Sequence, residues 1–230
     1  MFIGVVCVVI IVPLSLMLRE RASLAERPSA AAAQGTKGTN VLQGILILAG
    51  LSCCVAMSMP QVHILAYCGD LGFDRAVGAQ MLSVMLGFGV VSRLVSGYLS
   101  DHIGGIGTLI IGSFLQCLAL LFYIPFDGLT SLYLVTALFG LAQGGIVPSY
   151  ALIVRDHFPA KEAGIRISMV LTATVLGMAL GGWLSGVIFD HTGSYKLAFL
   201  HGVAWNLLNM AIAFWLLIGK IRPRDEIVRV

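Results

Sequence analysis

Charge is what this sequence has least of. Of its 230 residues only 11% are Asp, Glu, Lys or Arg, against 58% that are apolar. A soluble domain of this size needs far more polar surface to cover its core, so a soluble globular protein is excluded. Cysteine pairs at metal or redox spacing are missing too. Cys7, Cys53, Cys54, Cys68 and Cys117 lie scattered in apolar runs with no CxxC, so they read as small buried hydrophobes, and neither a zinc site nor a disulfide framework is implied. Clustered His, Asp or Glu at membrane depth and a GxSxG nucleophile are also absent, which leaves a membrane-embedded enzyme without its chemistry. No cofactor motif occurs. The net charge of +3 is modest, and nucleic acid need not be invoked. Strict period-two alternation is absent from the apolar runs, which argues against a β-barrel.

What remains is long apolar runs. Each is long enough for a helix crossing about 30 Å of hydrocarbon at about 1.5 Å per residue. The chain therefore reads as an all-α integral membrane protein with seven spans, at about 1–18, 41–66, 77–99, 106–126, 129–153, 165–189 and 196–219. The connector at 19–40 differs from the short loops at 67–76, 100–105, 126–128, 155–164 and 190–195. It is charged, then alanine-rich, with a proline and glycines, and reads as a linker between membrane bundles. The expected organisation is a first helix at 1–18, a cytoplasmic linker at 19–40, a six-helix bundle at 41–219 and a tail at 220–230. The first run lacks a cationic segment before it, the reverse of a cleaved signal peptide, and its brevity suggests that its beginning is missing.

Orientation follows from the basic residues. Eleven of the fourteen fall on one side: Arg19, Arg21, Arg27, Lys37, Arg155, Lys161, Arg166, Lys220, Arg222, Arg224 and Arg229. Arg75 and Lys196 fall on the other. The linker, the 100–105 loop, the 155–164 loop and the C-terminus are therefore expected in the cytoplasm.

One stretch stands out, "GVVSRLVSGYLSDHIGG" at 89–105. It sets Arg93 inside an apolar run and ends on Ser100, Asp101 and His102, then glycines. Asp101 suits the free N–H groups at the start of a neighbouring helix. Gly97 suits close helix approach, and Gly104 and Gly105 suit positive φ in a tight turn. "GYLSDHIGG" resembles the cytoplasmic loop signature of the major facilitator superfamily, G-x-L-x-D-R-x-G-R-R, with His102, Gly105 and Ile106 at the three basic positions. The resemblance implies a C-terminal half of such a transporter, from the end of the sixth helix through the twelfth, with the N-terminal half or a partner chain missing. "MPQVHILAYCGDLGF", "RDHFPAKEAGIRISMVL" and "FDHTGSYKLAFLHGVAWNLLNM" are similar to the bacterial monocarboxylate transporter-like branch, which includes oxalate:formate exchange. That likeness implies a small organic anion as substrate, alternating access, proton coupling, a place in a bacterial inner membrane, and a carboxylate-binding role for Arg93. Multidrug efflux and a non-transporting half-transporter subunit are the alternatives.

Arg93 has a case on physical grounds alone. It lies eight residues before Asp101, about 12 Å along a helix axis, and so near the bilayer centre. A cation there costs about 2.5–3.5 kcal/mol on the insertion scale, and an anionic substrate would offset it. Position 89, one turn away, is glycine, where the monocarboxylate relatives often carry a partner aspartate. His63, after Pro60 in a helix that the proline would break, is a second candidate for ligand or proton binding. Gln143 and Tyr150, beside a break at Pro148, are further substrate candidates. Gly97, Asp101, His102 and Gly104 form the conformational motif. The run 167–189 lacks Lys and Arg, and one cation suits one carboxylate. Gly177-x-x-x-Gly181 and Gly182-x-x-x-Gly186 supply small faces for packing. The orientation is open to direct test. An impermeant thiol reagent added outside intact cells should label Phe73→Cys and miss Ala32→Cys, and the reverse pattern would overturn the topology.

Overall fold

The computed structural model describes Pro13 and residues 36–221. The span expected at 1–18, most of the linker at 19–40 and nearly all of the tail lie outside the described residues. Within them the fold is all-α, and no strand is present. Six helices follow in order: α1 (Thr36–Asp70), α2 (Arg75–Phe122), α3 (Leu129–Gln143), α4 (Ile146–His157), α5 (Ala160–Thr192) and α6 (Tyr195–Ile221).

Five apolar stretches are long enough to cross a membrane, one of them running through α3 and α4 together. Another, α2, has 48 residues, about 72 Å if straight, more than twice the hydrocarbon thickness. It cannot cross once. Gly104 resolves this with φ 77° and ψ 169°, a conformation open essentially to glycine alone. The helix folds back there, so 75–103 and 105–122 are separate crossings and the bundle has six.

Several boundaries differ from the sequence expectation. Ser100, Asp101 and His102, expected in a loop, form the last helical turn before Gly104. Their polar groups bond back along the helix. Ser100 Oγ donates to the Gly97 carbonyl at 2.7 Å, and His102 Nδ1 lies 2.9 Å from the Tyr98 carbonyl. The 155–164 loop shrinks to Phe158 and Pro159. Phe158 is extended (φ −123°, ψ 153°), as the residue before a proline prefers. Helix then resumes at once, supported by the Glu162–Arg166 ion pair at 2.7 Å, spaced i,i+4. α1 does not break at Pro60, which sits inside a continuous helix. The Ala56 carbonyl, which the proline cannot serve, lies against Gly202 of α6. The break foreseen near Pro148 does occur, at Gly144 and Gly145 between α3 and α4.

Two seams of small residues hold the bundle. On α5, Gly177 and Gly181 lie so close to α1 that a Cβ would overlap the Leu51 and Val55 carbonyls. On α3 and the following break, Gly140, Gly144 and Gly145 meet Met85, Gly89, Ser92 and Ser96 of α2 in the same way. Ser92 Oγ donates to the Leu141 carbonyl at 2.5 Å across this seam. In lipid, where burying apolar surface gains little, such backbone approach supplies the packing attraction. Large apolar side chains such as Leu94, Leu134 and Val175 are correspondingly exposed on the outside. At the end of the bundle away from Gly104, Tyr123 stacks on Phe199 at 4.8 Å and Phe189 on Tyr195 at 4.1 Å, tying α2, α5 and α6.

The seams can be probed by single methyl groups. Gly181→Ala should lower the melting temperature in detergent by an amount worth about 1–3 kcal/mol. Gly182→Ala, where the nearest atom is 3.4 Å from the added carbon, should be nearly neutral. Equal effects would show that the seam does not carry the packing.

Candidate functional site

A partly open cleft of about 350 Å³ lies between α2 and α4. From α2 it takes Arg93, Ser96, Ser100 and Asp101, and from α4 Ser149 and Arg155. The α2 residues share one face because they recur every three to four positions. The space exists partly because, among the described residues, Gly97 on the same face has no neighbour within 4 Å of where a Cβ would stand. Gly97 thus serves openness here, not the close helix approach expected of it. The α4 residues that line the cleft follow directly on the Gly144–Gly145 interruption.

The cleft holds two guanidinium groups and one carboxylate. Among the described residues, Arg93, Arg155 and Asp101 make no ion pair and no hydrogen bond with one another or with anything else. Arg93 is exposed. Ser149 and Ser100 are satisfied locally, Ser149 Oγ donating to the Gly145 carbonyl at 2.7 Å as Ser100 Oγ does to that of Gly97. Among the described residues no backbone N–H binds the Asp101 carboxylate, so the helix-start partner expected for it is not found there. The arrangement can receive one monoanion: guanidinium donors, a net charge of one plus, and apolar walls that strengthen the attraction.

The other residues singled out in the sequence lie elsewhere. His63 Nε2 is 2.9 Å from the Gly182 carbonyl of α5, and its ring lies 5.8 Å from that of Tyr195. It joins helices and does not line the cleft. His102 lies against Tyr98, ring centroids 4.4 Å apart. Tyr150 is fully buried and turned into the bundle. Its hydroxyl donates to Asn209 Oδ1 at 2.6 Å, and Asn209 Nδ2 donates to Ser113 Oγ at 2.8 Å. Asn206 Nδ2 donates to the Ser113 carbonyl at 2.9 Å. Gln143 is 7% exposed and accepts a hydrogen bond from Gln61 Nε2 of α1.

Sequence reasoning passed over Gln61, Ser113, Asn206 and Asn209. The two asparagines three apart in "WNLLNM" put amides on one helix face, a signal of interhelical bonding that was there to be read. Gln61 carried no such pattern.

An all-α bundle of membrane-crossing helices with a cationic cleft between two of them defines a polytopic membrane protein. The family model described as Major Facilitator Superfamily matches residues 1–137 and 108–229, and the chain belongs to that superfamily. It is 28% identical over 156 residues to monocarboxylate transporter 13 of Bos taurus, covering 67% of this chain and 37% of that protein. It is 27% identical over 152 residues to the 4-hydroxybenzoate transporter PcaK of Acinetobacter baylyi, covering 64% and 32%. It is 30% identical over 152 residues to a gallate transporter of Pseudomonas putida, covering 64% and 33%. The matched part thus spans about a third of the length of these relatives.

The buried network and the cleft separate cleanly under mutation. Tyr150→Phe removes the donor to Asn209 and should cost about 1 kcal/mol in thermal unfolding. Binding of an organic anion per folded molecule should be unchanged. A selective loss of binding at wild-type stability would place Tyr150 in the binding site instead.

Proposed function

We propose that the chain is part of a secondary transporter for a small organic anion, most simply a monocarboxylate, working by alternating access. The observation that carries this is Arg93: a guanidinium well inside a membrane-crossing helix, open to a cleft and unpaired among the described residues. A cation so placed is costly, and an incoming carboxylate offsets that cost through a bidentate contact. Arg155 and Asp101 line the same cleft. Relatives named for monocarboxylate, 4-hydroxybenzoate and gallate transport support an organic anion as cargo.

In this reading the described bundle corresponds to helices seven to twelve of the superfamily, closest to its monocarboxylate transporter-like branch. The run at 1–18 is a helix of the preceding bundle, 19–40 a cytoplasmic linker, 41–219 the bundle and 220–230 a cytoplasmic tail. Sites in this superfamily lie between two repeats, so residues beyond the described bundle supply the facing wall. The membrane is the inner membrane of a bacterium, with the C-terminus in the cytoplasm.

Arg93→Ala should weaken monocarboxylate binding at least about thirtyfold, the loss of a charged partner for a desolvated carboxylate. Its melting temperature should stay at the wild-type value. Arg93→Lys should also bind poorly, because an ammonium keeps charge without the planar fork. A folded Arg93→Ala protein that binds benzoate with wild-type affinity would end this reading. Lost stability with unchanged affinity would assign Arg93 to structure.

A further inference from the structure

A serine inside a helix commonly turns its hydroxyl back onto the carbonyl three or four residues earlier. Ser83, Ser100 and Ser149 do so here, at 2.7–2.9 Å. Ser92 donates instead across the α2–α3 seam, to the Leu141 carbonyl. Ser96 does neither. It is half-buried and lines the cleft, and among the described residues its Oγ makes no hydrogen bond. That oxygen still reaches open space. Ser185 Oγ, by contrast, is closed off without a partner. Of the three serines that line the cleft, Ser96 is thus the one whose hydroxyl is uncommitted among the described residues.

Gly145 accounts for the direction of that side chain. A Cβ built on Gly145 would overlap Ser96 Oγ, so the hydroxyl projects across to the break between α3 and α4 and lies over bare backbone. Gly145 lines the cleft as well, and the two residues meet where the glycine seam opens into it. Arg93 is three residues before Ser96 on the same helix face, about 4.5 Å along the axis. The stem of an arginine spans that rise. From α4, Pro148, Ala151 and Leu152 give the cleft an apolar wall.

We infer that Ser96 is a second donor to the carboxylate that Arg93 anchors, held in place by the missing side chain at Gly145. The two-pronged contact of a guanidinium takes one lone pair on each carboxylate oxygen and leaves the others unfilled. Against apolar walls an unfilled carboxylate lone pair is costly. A hydroxyl fills one without adding charge. Ser100 and Ser149 would first have to give up the bonds they make to their own helices. The carboxylate therefore lies at the Arg93–Ser96 end of the cleft, and the apolar body of the anion lies along Pro148, Ala151 and Leu152. The inference rests on Arg93 as the carboxylate anchor.

The test is saturation-transfer NMR titration of the full chain in lipid nanodiscs with benzoate, a method that reads weak as well as tight binding. Ser96→Ala should weaken benzoate about tenfold, the worth of one hydrogen bond to a charged group, at an unchanged melting temperature. Ser100→Ala and Ser149→Ala should stay within about twofold of wild type. Ser96→Cys, close in shape and a poor donor, should also bind weakly, and serves if the alanine variant does not fold. In the Arg93→Ala background the further loss from Ser96→Ala should shrink to less than about threefold, because two groups that hold one carboxylate are not additive. Wild-type affinity in Ser96→Ala, with Arg93→Ala still losing at least about thirtyfold, would overturn this inference alone. Equal losses in all three serine variants, or full additivity with Arg93→Ala, would also overturn it. Normal benzoate binding by Arg93→Ala would remove the anchor and this inference with it.

Discussion

The structure depends on backbone-close contact between helices at positions without side chains. In a bilayer the lipid tails are as apolar as leucine, so association relies on dispersion contact, which falls off within about an ångström of gap. Gly177 and Gly181 let α5 meet the carbonyls of α1, and Gly140, Gly144 and Gly145 let the α3–α4 segment meet α2. These two seams fix the four elements around which everything else is arranged. Side chains at these positions would hold the helices apart and unbind the cleft walls from each other.

The second seam does more than pack. Two consecutive glycines interrupt the span from Leu129 to His157, and the interruption lies directly against Ser92 and Ser96, on either side of Arg93. Beyond the break, α4 brings Ser149 and Arg155 to the cleft that α2 lines. One local feature of the chain therefore produces both tight contact above the cleft and separation within it. The Gly104 fold has a related effect at the cytoplasmic end in the proposed orientation. It keeps Ser100 and Asp101 helical up to the last turn, so they stay on the face that Arg93 shares.

Polar groups inside the bundle divide by what they can reach. Tyr150, Asn209, Ser113 and Asn206 bond to one another in the buried interior and tie α2, α4 and α6 together. His63 does the same for α1 and α5. Arg93, Arg155 and Asp101 find no such partners among the described residues. A group that is costly to place in a membrane and is left without a partner is where a ligand is to be sought.

The sequence by itself determined the class of protein. Apolar runs of membrane length, few charges and the "GYLSDHIGG" signature pointed to an all-α membrane bundle of the superfamily to which the chain belongs, because hydrocarbon thickness and backbone hydrogen bonding leave few alternatives. It also marked Arg93, whose cost is a matter of depth along one helix, and the glycine at the turn, whose conformation is local. Only the tertiary structure decided which polar residues meet. Periodicity along single helices could not show that Tyr150 faces Asn209 across 59 residues, that His63 faces a carbonyl of α5, or that Gln61 finds Gln143. Each of those encounters depends on how two helices are rotated about their own axes, and that rotation is set by the glycine seams between them.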